Sequence, residues 1–215
     1  MACGMAEESG EPVVLICTGA TASRNYVPGL TEAYYRKIPV LAVTATQHLG
    51  RIGQNMQQVL DRSMQMKDLV NYSMQLTTIH SQEDEWAAGV RINEALLELR
   101  HNGGGPVHIN LETQYSQDFS EKELKPVKVI RRYCSGDEMP VINAAKVGVF
   151  VGNHSKWSAV LTEAVDAFCQ KYNAVVFTDN TSNYRGKYNV LAPLMASQDL
   201  CAFDETAVDL LIDIG

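Results

Sequence analysis

Apolar residues in this chain come in short runs bounded by turn residues and separated by stretches of helical period. Residues 12–17 (Pro-Val-Val-Leu-Ile-Cys), 39–45 (Pro-Val-Leu-Ala-Val-Thr-Ala) and 106–111 (Pro-Val-His-Ile-Asn-Leu) predict strands, and 72–77 a weaker one. A helix is expected to open at 18–21, where Thr18 or Thr21 can cap free N–H groups, and to run towards Lys37. Pro28 and Gly29 predict a kink inside it, because proline removes a backbone donor and crowds the preceding turn. Residues 81–101 predict the longest helix. Ser81 with Asp84 reads as a capping box, and Trp86, Val90, Ile92, Ala95, Leu96 and Leu99 form an apolar stripe that reads as core. Gly103-Gly104-Gly105 ends that helix.

The texture then changes. Residues 112–143 are polar, with Lys/Glu runs, Ser-Gly-Asp and Met-Pro, and read as a crossing linker. Strand and helix resume at 146–151, 155–172 and 174–178, and a last apolar run covers 209–214. Strands that are apolar throughout and alternate with helices mean parallel sheets covered on both faces. The expected fold class is α/β, with two open parallel-sheet α/β units. The domains are expected at 1–112, with a linker over 113–143, and at 144–215. Residues 1–9 read as the later half of a helix without a start signal. The strand at 210–214 stops where an open sheet normally places a ligand loop. Truncation at both ends is therefore expected.

Composition narrows the function classes. The 215 residues are 46% hydrophobic and 20% charged, an ordinary globular balance. A net charge of −7 argues against a binder of nucleic-acid backbones, which needs a basic stripe. The short basic cluster of Lys125, Lys128, Arg131 and Arg132 reads as solvated linker. No apolar run is long enough to span a bilayer, and residues 1–8 lack the pattern of a signal peptide. Five scattered cysteines without a CxxC fit a reduced, cytoplasmic compartment, with Cys17 and Cys169 as small core hydrophobes.

Few motifs carry chemistry. The histidines show neither i, i+4 pairing nor cysteine partners, so no metal site is expected, and His108 reads as a hydrogen-bonded core histidine. Neither G-x-S-x-G nor G-x-G-x-x-G occurs in the required context. Two segments fall at ligand-facing strand ends. Thr18-Gly-Ala-Thr-Ala-Ser-Arg-Asn25 follows the first strand directly and offers a ligand hydroxyls, an amide and small residues, although composition alone favours a tight turn with a helix cap. Gly53-Gln-Asn-Met-Gln-Gln58 follows the second strand and reads either as a polar binding loop or as a solvated one.

In order along the chain, Ala2-Cys-Gly-Met-Ala-Glu-Glu-Ser-Gly-Glu-Pro-Val-Val-Leu-Ile-Cys-Thr-Gly, Thr18-Gly-Ala-Thr-Ala-Ser-Arg-Asn-Tyr-Val-Pro-Gly-Leu-Thr-Glu-Ala33, Pro39-Val-Leu-Ala-Val-Thr-Ala45 and Gly105-Pro-Val-His-Ile-Asn-Leu-Glu112 resemble the pyrimidine-binding domain of thiamine-diphosphate-dependent enzymes. Thr21-Ala-Ser-Arg-Asn25 resembles the branch that makes succinyl-enolpyruvyl-cyclohexene carboxylate in menaquinone synthesis more than it does the acetolactate synthases. Phe177-Thr-Asp-Asn-Thr-Ser-Asn-Tyr-Arg-Gly186 is similar to that branch's central domain. Thr46-Gln47-His48 departs from its usual Asp-Arg-Pro.

The resemblance implies decarboxylation of a 2-oxo acid with transfer to an acceptor, run by thiamine diphosphate and Mg2+ in a homodimer or homotetramer. It places the cofactor-activating glutamate upstream of Met1 and the diphosphate and magnesium site in a later domain. This chain then holds no catalytic residue, binds no cofactor alone, and is an inactive fragment. Glu7 and Glu8 are expected to face solvent rather than substitute for that glutamate. Thr18, Thr21, Asn25 and Gln58 are the implied cofactor contacts, with Asn25 and Gln58 matching positions that line the site in related enzymes. Two other readings stand beside this one: a non-catalytic α/β binding or interaction module of the same fold, and an unrelated flavodoxin-like or nucleotide-binding protein.

Overall fold

The computed structural model describes residues 1–18, 20–63, 65–124, 126–197 and 208–215. Gly19, Lys125 and Cys201, which figure in the sequence reading above, lie outside the described residues. The chain divides into two compact units, Met1–Ser135 and Gly136–Gly215.

The first unit runs α1 (Ala2–Ser9), β1 (Val13–Cys17), α2 (Ala20–Arg24), α3 (Val27–Arg36), β2 (Val40–Thr46), β3 (Tyr72–Leu76), α4 (Gln82–Glu98) and β4 (Val107–Glu112). All strand pairings are parallel, in the order β1-β2-β4-β3. Alternation along each strand decides the two faces. Val40 and Ala42 of β2 pack with Ala6, Leu30, Ala33, Ile38, Leu69 and Val70 under α1 and α3. Leu41, Val107, Ile109 and Met74 point the other way, against Ala95 of α4 and Leu99 at its C-terminal cap. Val14 pairs with Leu41 and Ile16 with Val43, so both belong to the α4 face. They stand on the edge strand and stay 52% and 73% exposed.

Several expectations need correction. The helix expected from 18–21 to Lys37 is not one kinked rod. It breaks at Asn25-Tyr26, and Pro28 sits in the first turn of α3. A missing N–H costs nothing there, because first-turn donors have no intrahelical partner. The capping box on α4 is present, with Ser81 and Asp84 reciprocally bonded, but the apolar stripe is misphased. The buried positions are Ala88, Asn93, Ala95 and Leu99, whereas Trp86 is 68% and Leu96 45% exposed. Residues 88, 95 and 99 recur at helical spacing on the sheet-facing side, and 86 and 96 fall off that arc. Asn93 is buried for another reason. Its Nδ2 donates to the Lys128 carbonyl at 3.0 Å and its Oδ1 accepts from the Ile130 N–H at 2.8 Å. With the Arg132–Glu98 ion pair at 2.9 Å, this lays residues 128–132 of the polar stretch along α4.

The second unit runs β5 (Val147–Val151), α5 (Ala159–Tyr172), β6 (Ala174–Thr178), β7 (Asn189–Leu191), α6 (Ala192–Ala196) and β8 (Leu210–Ile214). Its parallel order is β7-β6-β5-β8. α5 starts at Ala159, later than expected, because Ser158 is the residue whose hydroxyl caps the Leu161 N–H. Val147, Val149, Val151, Ala174 and Val176 pack with Cys169 of α5. At the carboxyl end, Trp157 Nε1 donates to the Ser182 carbonyl at 3.0 Å, and the Tyr184 hydroxyl donates to Asp166 Oδ1 at 2.5 Å. That carboxylate and burial together raise the Tyr184 phenol above its usual value, burial being the larger cause. A Cβ at Gly186 would lie 2.1 Å from the Tyr184 hydroxyl oxygen and 2.4 Å from Asp166 Oδ1.

Candidate functional site

In an open parallel sheet, ligands bind beyond the carboxyl ends of the strands. In the first unit, that edge collects Thr18 after β1, the helix α2, the loop that follows β2, and Glu112 at the end of β4. Thr18 lies on the β1–α2 connection, Thr21 in α2 and Asn25 just after it, and all three are exposed. Gln58 lies on the separate loop after β2, exposed, with its backbone in the left-handed region at φ 59°. Among the described residues, no hydrogen bond engages any of these four side chains. Cys17, expected in the core, is only half-buried, because β1 is an edge strand. Glu7 and Glu8 are exposed, and Glu7 pairs with Arg36.

Beneath this edge lies a polar network that sequence reasoning found only in part. On the face shared with α1 and α3, β2 presents Thr44, β4 presents His108 and Asn110, and β3 presents Ser73 and Gln75. His108 is 4% exposed and bonded on both ring nitrogens, as read from the sequence. Its Nε2 meets the Thr44 hydroxyl at 2.9 Å and its Nδ1 meets the Ser73 hydroxyl at 2.9 Å. Thr44 donates its one proton to Asn110 Oδ1 at 2.7 Å, so it accepts from Nε2–H. Burial first and the Arg62 charge second push the imidazole pKa down to about 4, so the ring is neutral above that range and its Nδ1 accepts from Ser73. Asn110 Nδ2 donates onward to Gln75 Oε1 at 2.5 Å.

The charged member of the network is Arg62, only 3% exposed. Its Nε donates to Ser23 Oγ of α2 at 2.9 Å. Its Nη1 donates to the Ala45 carbonyl at 3.3 Å and to Asn110 Oδ1 at 3.5 Å. Burial lowers its pKa from the usual value. A cavity of about 20 Å3, enough for one water, lies among Ser23, Thr44, Arg62, Gln65 and His108. One more group is left over: the buried Thr46 hydroxyl, two residues beyond Thr44 on the same face, has no partner among the described residues. The signal for this network was legible. Thr44, Thr46, His108 and Asn110 sit at alternate positions of otherwise apolar strands, so each pair shares a face. Arg62 and Ser23 gave no such signal, since one lies in an aperiodic loop and the other in a short helix. A roomier cleft of about 460 Å3 opens at the opposite end of the sheet, beside Asn71 and Gly104. Lys37 and His101 in that cleft are already bonded, to the Asn102 carbonyl and to Glu98.

Residues 1–66 match the family model described as thiamine pyrophosphate enzyme, N-terminal TPP binding domain. Those residues thus carry the N-terminal TPP binding domain of the thiamine-diphosphate enzymes. Its curated relatives include proteins named 2-succinyl-5-enolpyruvyl-6-hydroxy-3-cyclohexene-1-carboxylate synthase, the branch that its motifs resemble. The one from Bacteroides fragilis is 40% identical over 133 residues, covering 61% of this chain and 24% of the relative. The one from Porphyromonas gingivalis is 32% identical, covering 86% and 34%, and the one from Cytophaga hutchinsonii is 33% identical, covering 100% and 40%. The chain thus spans about a quarter to two fifths of the length of these relatives. A solved Mycobacterium smegmatis protein described as thiamin diphosphate-dependent aligns over 83% of the chain and 35% of its own length, at 20% identity and a TM-score of 0.46.

Proposed function

We propose that this chain forms the pyrimidine-binding side of a thiamine diphosphate crevice, together with part of a central domain, in an enzyme acting on a 2-oxo acid. The reaction is decarboxylation with transfer of the remaining fragment to an acceptor. One observation carries the reading: Thr18, Thr21 and Asn25 stand exposed and unengaged at the carboxyl tip of an edge strand.

The donor set supports the ring half of the cofactor. Hydroxyls of Thr18 and Thr21, amides of Asn25 and Gln58, and the unpartnered Thr46 hydroxyl are uncharged groups able to bond an aminopyrimidine. They do not neutralise a diphosphate or ligate magnesium. Among the described residues, no cluster of three His, Cys, Asp or Glu side chains could hold a metal. In this reading, the diphosphate and Mg2+ are held by other parts of the enzyme, and so is the glutamate that activates the ring. When bound, the cofactor supplies an electron sink for loss of carbon dioxide. The residues of this chain orient the ring and exclude water from it.

The chain by itself is inactive in this account. It works as a homodimer or homotetramer, and the bare Val14 and Ile16 on β1 offer apolar surface for such contacts. The free thiols of Cys3, Cys17, Cys134 and Cys169 suit the cytoplasm. No helix among the described residues is long and apolar enough to cross a membrane.

Backbone NMR of the 215-residue chain, titrated with thiamine diphosphate and Mg2+, tests the reading. The expected result is shifts confined to the Thr18–Asn25 and Gln58 segments, with a Kd of about 1 mM or weaker. No shift in those segments would refute the site and leave a non-catalytic module as the better account. Binding at micromolar strength would show that the chain needs no other part to hold the cofactor.

A further inference from the structure

The two segments proposed to contact the cofactor come from different places in the chain, one on α2 after β1 and one in the loop after β2. Each is exposed, and α2 has only five residues. A helix that short does not hold itself. Gln58 adds a left-handed backbone that a side-chain-bearing residue adopts at a cost. Something must fix both segments against the sheet.

We propose that Arg62 is a positioning residue that ties α2 and the loop after β2 to the sheet as one rigid edge. Its guanidinium reaches out from the loop to both of the other elements. Nε bonds Ser23, which lies between Thr21 and Asn25 on α2. Nη1 bonds the Ala45 carbonyl of β2 and Asn110 of β4. Arg62 itself lies four residues after Gln58. Arginine suits this place because its planar fork presents several N–H groups in fixed directions, whereas an ammonium is a single point of attachment. The sheet side of the tie is itself held, because Asn110 is gripped by Thr44 and Gln75. The purpose assigned to the tie rests on the cofactor reading above; its existence does not.

Hydrogen exchange on the whole chain separates the two. The reporters are the N–H groups of Asn25 and Tyr26, which close the end of α2 on Thr21, Ala22 and Ser23 carbonyls, together with the amides of residues 57–62. Ser23→Ala removes the α2 end of the tie and leaves Arg62 in place, at a site where alanine is a better helix former. It should speed exchange at Asn25 and Tyr26 about tenfold, leaving residues 57–62 and the β4 amides unchanged. Arg62→Met should speed exchange in both segments, more than in β4. Arg62→Lys should restore one segment and not both.

Unchanged exchange at Asn25 and Tyr26 in Ser23→Ala would overturn the proposal. So would a uniform rise through the first unit in Arg62→Met, which is the mark of ordinary core damage. If Arg62→Met does not fold, Ser23→Ala decides alone. The thiamine diphosphate titration, repeated on Ser23→Ala, should show weaker shifts at Thr21 and Asn25. Loosened α2 with shifts of full size would keep the tie and reject its role in binding.

Discussion

The two units solve the same packing problem with different chemistry. Each has a four-stranded parallel sheet, and in each the covered face is read from alternate strand positions. In the second unit, those positions are Val147, Val149, Val151, Ala174 and Val176, and among the described residues the buried polar groups are Thr178, Ser182 and Tyr184, beyond that apolar set. In the first unit, the corresponding face holds Thr44, His108 and Asn110 deep in the sheet, with a guanidinium beside them. Buried polar groups weaken a core unless every member is bonded. The second unit therefore shows what this sheet needs for stability, and the first shows what it carries beyond that need.

Acid should produce the largest divergence. His108 is held neutral, with a folded pKa of about 4 against an ordinary 6.5. The unfolded chain binds the proton first, so stability is complete above pH 6.5 and declines as pH falls from there through 4. The full loss is at most about 3 kcal/mol. Among the described residues, the second unit buries no histidine. Urea unfolding at pH 7 and pH 4.5 should show the first unit weakening more, with the buried Trp157 reporting the second unit by fluorescence. His108→Gln should flatten the first unit's dependence over this range. An unaltered dependence would dismiss the neutral buried imidazole.

A paired exchange sharpens the contrast at smaller scale. Thr44→Val strips Nε2–H of His108 and Oδ1 of Asn110 of a partner, and should cost the first unit about 1–3 kcal/mol in denaturant unfolding. Val176→Thr places a hydroxyl in the valine core of the second unit and should cost about 1–2 kcal/mol. If Thr44→Val proves stabilising, the network is not the closed set described. The smallest effect belongs to Tyr184→Phe, which removes one hydrogen bond to Asp166 while Lys187 N–H still donates to that carboxylate. The expected loss is about 1 kcal/mol, confined to the transition reported by Trp157.

The fold was largely legible because the strands are uninterrupted apolar runs and the breaks between them are rich in turn residues. What escaped was phase and local pairing. The α4 stripe took in Trp86 and Leu96 because apolar residues at roughly helical spacing do not say which arc meets the sheet. Buried Asn93 looked like surface, since nothing in its own segment announces the Lys128 and Ile130 backbone that it holds. β7 and α6 are too short to give a period. At the site, the β1–α2 turn and Gln58 could be named from residue chemistry at strand ends, and His108 from its apolar neighbours. Arg62 could not be named, because a lone arginine in a polar loop is ordinarily solvated, and only the tertiary structure brings Ser23, Ala45 and Asn110 around it.

Gly186 carries a consequence for mutational tolerance. It lies in a surface connection, where substitution is ordinarily accepted and alanine is the mildest of changes. Here one added methyl would overlap the Tyr184 oxygen and the Asp166 carboxylate, well inside van der Waals contact. A saturation library of the second unit should therefore be depleted at 186 of every residue but glycine, alanine included, while its exposed neighbours Arg185 and Lys187 accept most replacements.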